Sequence, residues 1–145
     1  MKQVHNVTIK VFEKEKINEV KLGLEKLAAL NLEEEKLKIY EKKAEGFEDT
    51  IYILELKLEK AKHVSSFLKK LTSQLKDEQK ELLKRQAESR LDEELNFFIR
   101  IDKDKWLNKE LIITDSGDCF HIKMLIACFP KKKEKAIAII NEIFK

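Results

Sequence analysis

The stretch that most constrains this chain is residues 90–103, Arg-Leu-Asp-Glu-Glu-Leu-Asn-Phe-Phe-Ile-Arg-Ile-Asp-Lys, where a long polar helical pattern gives way to strict alternation. Leu95, Phe97, Ile99 and Ile101 alternate with Asn96, Phe98, Arg100 and Asp102, the two-residue period of a strand with one buried face. Such a strand requires a sheet, and its apolar side requires something packed against it. The outward side sets Phe98 beside Arg100, in a chain with only two other arginines, Arg85 and Arg90. A phenyl ring next to a guanidinium suits stacking on flat groups such as bases. The plainer reading is an amphipathic strand whose Phe98 packs under a neighbouring side chain.

The rest of the chain supplies the other layers. Residues 4–12 alternate Val7, Ile9 and Val11 against Thr8 and Lys10, which predicts a first strand. Over 16–30 the period changes, with Ile17, Val20, Leu24 and Leu27 forming one helical stripe. Gly23 inside that helix costs about 1 kcal/mol relative to alanine, so a close approach to the sheet is expected there. Residues 36–43 and 50–59 predict the second and third strands, joined by a hairpin turn through Ala44-Glu-Gly-Phe-Glu-Asp49. Val64, Phe67, Leu68, Leu71 and Leu75 mark a second helix, and Asp77 is placed to cap a third that runs through Leu82, Leu83 and Ala87 towards Leu91.

After the central strand, residues 104–109 are too short and irregular for a full helix, with Trp106 and Leu107 tucked into the core edge. Residues 111–114 read as a strand, and Asp115-Ser-Gly-Asp118 as the turn of a hairpin whose returning strand covers 119–129. Pro130 then starts a last helix with Ala136, Ile137, Ile140, Ile143 and Phe144 inward. The expected architecture is a single α+β domain over residues 1–145, an antiparallel-rich sheet with helices packed on one face.

A chain of 145 residues can bury one sizeable core. Its charge is abundant but balanced, 39% charged residues at a net +3, so it is not a strongly one-signed chain that coats nucleic acid indiscriminately; any basic site must be local. A Lys/Glu-rich sequence with few glycines is common among hyperthermophile proteins. Cys119 and Cys128 lie roughly 30 Å apart on one extended strand, too far to bridge, and read as free thiols. The opening segment has no signal-peptide character and no run approaches a membrane span, so the cytoplasm is the expected location.

Catalytic signatures are missing. His5, His63 and His121 are far apart without the spaced ligands of a metal site, and three glycines leave no nucleotide-binding loop. Asp92, Glu93, Glu94, Asp102 and Asp104 are turned in different directions by the strand. Neither an enzyme, a metal nor a cofactor is expected.

With helices on one face, the other collects Thr8, Lys10, Lys38, Tyr40, Lys42, Lys57, Phe98, Arg100, His121 and Lys123. Lysines meeting phosphates, with rings between them receiving unstacked bases, is how open sheets bind single-stranded RNA. Lys131, in the lysine run beside Pro130, reads first as part of a solvated first turn, with a phosphate contact near the helix start as the alternative. The competing expectation is an apolar patch of Ile51, Ile53, Phe98, Leu125 and Phe129, through which the chain dimerises or docks on another protein.

The run Arg90-Leu-Asp-Glu-Glu94, then Phe98-Ile-Arg-Ile-Asp-Lys103, Glu110-Leu111, Asp115-Ser-Gly-Asp118 and Ala127-Cys-Phe-Pro130, resembles an archaeal family of small proteins described as RNA-binding or as predicted exosome subunits. The order of elements matches from Val4-His5-Asn6 to the last helix, and the sharp residue match covers the final third. That family is similar in fold to the ribosomal protein that binds 5S RNA. The resemblance therefore implies a non-catalytic α+β domain, an RNA partner, and association with archaeal RNA processing or degradation. This chain departs from the pattern at Gly46-Phe-Glu-Asp49, where a Gly-Asn-Pro-like turn is usual, and at Asp104-Lys-Trp-Leu-Asn-Lys109, where a small glycine-containing segment is usual. Contacts made by those loops in relatives are not carried over. The expected RNA-binding residues are Arg90, Phe98, Arg100 and Lys103, supported by Lys10, His121, Lys123 and Lys131. Arg100 and Lys103 would meet phosphates and Phe98 a base. Arg90 has a structural alternative, pairing with Asp92 or Asp102 at the helix-to-strand corner.

Overall fold

Period-two stretches become strands and period-3.6 stretches become helices, in an order close to that expected. The structure is a computed structural model describing residues 2–46 and 49–145. Its elements are β1 (Val4–Glu13), α1 (Ile17–Ala28), β2 (Tyr40–Glu45), β3 (Thr50–Leu58), α2 (Ala61–Gln74), α3 (Asp77–Arg85), β4 (Asn96–Asp102), α4 (Lys103–Leu107), β5 (Cys119–Ile126) and α5 (Lys133–Ile143). The strands form one five-stranded sheet in the order β2-β3-β1-β5-β4. The strand expected at the centre, β4, is thus an edge, and β1 lies in the middle. Alternation reports which side of a strand is buried but carries no information about its neighbours.

The chain gathers into two compact units, one of Met1–Val7, Leu58–Ile99 and Lys123–Lys145, the other of Thr8–Lys57 and Arg100–Ile122. In the first, the stripe His63, Val64, Phe67 and Leu71 of α2 is buried, and Phe97 of β4 meets Phe144 at a ring separation of 6.0 Å. Asp92 shapes the entry to β4. Its carboxylate accepts the backbone N–H groups of Glu94 (3.0 Å) and Asn96 (2.8 Å) and the Asn96 side-chain amide (3.1 Å). These bonds hold Leu95 at a left-handed φ of 70°, a conformation a branched side chain does not adopt cheaply.

In the second unit α1 buries Val20, Gly23, Leu24 and Leu27. A Cβ at Gly23 would lie 2.7 Å from Leu107 Cδ2 and 3.4 Å from Phe120 Cζ, so the expected close approach is real. It also lets the Trp106 indole N–H donate to the Gly23 carbonyl at 2.8 Å, which satisfies the polar end of a buried ring. β2 and β3 pair antiparallel, with Tyr40 opposite Glu55 and Lys42 opposite Ile53. The Gly46 N–H donates to the Asp49 carbonyl at 3.0 Å; Phe47 and Glu48, in the expected hairpin turn, lie outside the described residues.

Several expected boundaries move. β2 begins at Tyr40 rather than 36, because Asn31 accepts the Glu34 N–H and Lys36 takes a φ of 57°, holding the preceding residues in a turn. Residues 111–114 are no strand and form no hairpin with β5. They lie along β4 instead, with one bridge between Ile101 and Ile113 and bonds from Asp102 N to Ile112 O and from Thr114 N to Arg100 O. Within the other unit the β4 edge is met by Leu91, bridged to Phe97, and by the Arg90 carbonyl, which accepts the Phe98 N–H. β5 stops at Ile126 and α5 starts at Lys133, three residues after Pro130. Asp77 is the first helical residue of α3 rather than its cap; the Gln79 side chain accepts the Lys76 N–H instead.

Replacing Gly23 by valine forces branched carbon into the Leu107 and Phe120 contact and should destabilise the protein by about 1–3 kcal/mol. Gly23→Ala should come out near neutral, since the Leu107 end can swing away while the helix gains about 1 kcal/mol. Denaturant unfolding of both variants checks this; a valine as stable as the glycine would mean the approach is looser than the distances state.

Candidate nucleic-acid interface

In the unit of Thr8–Lys57 and Arg100–Ile122, burial of Ile9, Val11, Leu54, Leu56, Ile101 and Phe120 turns their strand neighbours outward. Directly paired residues share a face, so Tyr40 and Lys42 join Glu55 and Ile53. Lys10 and Lys57 each approach the Glu55 carboxylate at 3.6 Å. On the far side of β1, Phe12 meets His121 edge-to-face, with centroids 6.0 Å apart and planes at 88°. On this outward side Lys10 and Lys57 flank the Glu55 carboxylate, Tyr40 and Lys42 lie on the same side of β2, and Phe12 and His121 meet near Lys10 and Arg100.

The charge states there follow from the surroundings. Burial pushes the His121 pKa down, and the positive charges of Arg100 and Lys10 push it further the same way. The imidazole is therefore neutral at neutral pH and offers a ring and a hydrogen bond rather than a charge. Its Nε2 lies 3.4 Å from the Cys119 sulfur, and burial raises the Cys119 thiol, so this pair is a neutral one. Arg100 is exposed and donates Nη1 to the Asp115 carbonyl at 3.0 Å, one of about five N–H donors a guanidinium carries. Phe12 is 42% exposed. Leaving that share of a ring in water, on the order of 80 Å², costs about 2 kcal/mol.

Lys103 is in a different situation. It is 5% exposed, and its ammonium donates to the Phe12 carbonyl at 2.7 Å and pairs with Glu13 at 2.9 Å and Asp118 at 3.9 Å. Its charge is already met inside the protein, so the phosphate contact expected of it gives way to a structural role. Burial alone would raise the Glu13 pKa, but the Lys103 hydrogen bond and the backbone N–H groups of Glu15 and Lys16 outweigh it and hold the carboxyl at about 2. Beside this pair is a cleft of about 350 Å³, lined by Phe12, Glu15, Lys16, Ile51, Asp104 and Asp118 among others.

In the other unit, Arg90 is also held. Its Nε and Nη2 donate to Gln86 Oε1 at 2.9 and 2.7 Å, and its Nη1 donates to the Phe98 carbonyl at 3.1 Å. It braces the helix-to-strand corner with Gln86 and the Phe98 carbonyl among its partners, whereas the structural alternative names Asp92 or Asp102. Phe98 is 37% exposed. Lys123 is exposed, and Asp92, opposed by burial but accepting from Asn96 and Glu94 and near Lys123, is held below the usual carboxylate range. Lys131 is exposed and lies two residues before α5. Of the apolar patch, Phe129 is exposed while Ile51, Ile53 and Leu125 are half-buried.

The residue that sequence reasoning passed over is Phe12. The signal was present, because continuing the Thr8 and Lys10 alternation by one step turns Phe12 outward. The Glu13 to Lys103 pair had no such signal, since its partners are separated by 90 residues. Among the described residues, no group of three or more His, Cys, Asp or Glu side chains could hold a metal ion, and no helix is long and apolar enough to cross a membrane.

Comparison with known proteins adds a family and similar folds. A family model described as RNA binding matches residues 6–126. The RNA-binding protein PAB1135 of Pyrococcus abyssi is 27% identical over 146 residues, covering 97% of this chain and 93% of that one. Among solved structures, AF2318 of Archaeoglobus fulgidus, of the DUF54 family, superposes with a TM-score of 0.84 at 27% identity, covering 97% of this chain and 99% of that one. Mth689 of Methanothermobacter thermautotrophicus, a DUF54 protein, shares the fold with a TM-score of 0.80 at 24% identity, covering 99% of both chains.

Lys103→Ala strands the Glu13 carboxylate and leaves the Phe12 carbonyl without its donor, so it should cost about 3–5 kcal/mol of stability. The same pair sets an acid limit. A carboxyl whose folded pKa is depressed stabilises above its unfolded value of 4.5 and loses that contribution as pH falls towards about 2. Glu13→Gln should therefore flatten the stability profile between these values, which thermal unfolding across pH 2–6 would read; a profile unchanged by the substitution would remove Glu13 from the account.

Proposed function

Because this chain belongs to the RNA-binding family whose model spans residues 6–126, we propose that it is a non-catalytic RNA-binding protein using the outward sheet face around Arg100. The observation that carries this reading is the outward placement of Lys10, Lys57 and Arg100 with the rings of Phe12 and His121 beside Lys10 and Arg100. Arg100 and Lys10 meet phosphates by charge-assisted hydrogen bonds, and His121 contributes as a neutral ring. In the other unit Phe98, Lys123 and Lys131 are exposed candidate contacts of their own, and Arg90 supports the backbone of Phe98.

Association with an archaeal RNA-processing or degradation complex such as the exosome is supported by the resemblance over residues 90–130. A single domain is supported by the chain path, since every boundary between the two units except the termini falls within a strand. A cytoplasmic location accords with an RNA partner.

Fluorescence anisotropy with a mixed-sequence single-stranded RNA at two salt concentrations tests the reading. Affinity should fall as salt rises, because phosphate contacts release counterions. Arg100→Ala should weaken binding about tenfold and reduce the salt slope by about one, without lowering the unfolding midpoint. Absence of salt-dependent binding, together with a dimeric mass in solution, would transfer the open face to protein association.

A further inference from the structure

Resting on the RNA-binding reading, we propose that Phe12 is a stacking platform for one unpaired base, received in the cleft it borders, which makes single-stranded RNA the substrate class. Phe12 belongs to two surfaces at once. One side of it meets His121, next to the cations of Lys10 and Arg100; the other lines the cleft, whose walls carry Glu13, Glu15, Asp104 and Asp118 together with Lys14, Lys16 and Lys103. The cations beside His121 attract phosphates, while the cleft has its carboxylates and lysines nearly balanced and suits an uncharged, polar-edged group. A base carries no charge, and its ring amino and carbonyl groups can meet carboxylate acceptors and the Lys16 donors there.

The ring is set for this use. Its contact with His121 is perpendicular, so the two rings do not stack on each other face to face. Its backbone is held by the buried Lys103 ammonium on the Phe12 carbonyl, so the ring does not have to be ordered when a base arrives. The cleft, about 350 Å³, is large enough for one base. In a duplex the bases are stacked and paired, and a ring fixed in a sheet could reach only their edges.

The test compares one short RNA, single-stranded and annealed to its complement, on the full chain and on three variants. Phe12→Ala should lose about five- to hundredfold in affinity for the single strand while keeping the wild-type salt slope, because the phosphate contacts remain. Phe12→Tyr should retain most of the affinity. Phe12→Leu, apolar but without a π face, should behave like alanine, and the Tyr against Leu contrast decides the matter even if the alanine variant folds poorly. A 2-aminopurine in the strand should change fluorescence on binding to wild type and not to Phe12→Leu. Duplex bound as tightly as single strand, with Phe12→Leu equal to wild type, would overturn this inference and leave RNA binding standing. No binding of either RNA form would remove the RNA reading itself.

Discussion

The candidate site depends on a positive charge that is met inside the protein. Lys103 follows directly on β4, at the start of α4, whose first turn is capped by Asp102 accepting the Lys105 N–H at 2.9 Å. That junction sends the lysine side chain inward, where its ammonium meets the Glu13 carboxylate and the Phe12 carbonyl. Desolvating two charges is expensive, and a buried pair is weak grounds for high stability. What it supplies is position. It fastens the end of β1 to the start of α4 beside Phe12, which the strand alternation turns outward.

Cations in this protein therefore divide by task. Arg90 and Lys103 are occupied by backbone carbonyls and internal partners, and they shape the corners on which aromatic residues stand: Phe98 in one unit, Phe12 in the other. Lys10 and Arg100 remain on the surface. A net charge of +3 is compatible with a nucleic-acid site on these terms, because the field that matters is local and the remaining charge is paired or dispersed. Burial is the main cause of the lowered His121 pKa, and the charges of Arg100 and Lys10 add to it in the same direction.

How much was legible in advance depends on the range over which each feature is encoded. Alternation in residues 4–12 and 95–102 and the stripes of α1 and α2 are short-range patterns, and they were read correctly. So was the close approach at Gly23, because a glycine inside a helix needs a reason. The edge position of β4 and the pairing of 111–114 with it are choices of partner, which no local pattern contains. For the site, exposure of Phe98 and Arg100 followed from the strand period. The roles of Arg90 and Lys103 did not separate from that of Arg100 in the sequence, since a basic residue near a strand looks the same whether its partner is a phosphate, a carbonyl or a carboxylate 90 residues away. Family resemblance gave the RNA partner without distinguishing those roles.

The segments lying along β4 have a further effect. An edge strand ordinarily offers a row of free amide and carbonyl groups to any extended chain that comes by. Here Arg90 occupies one end of that row and Ile112 and Thr114 the other. Templated growth by strand addition at this edge is thereby blocked at both ends. Recognition near Arg100 is left to side chains, whose hydrogen-bonding and stacking can distinguish one partner from another, where a bare backbone ladder would accept almost any sequence.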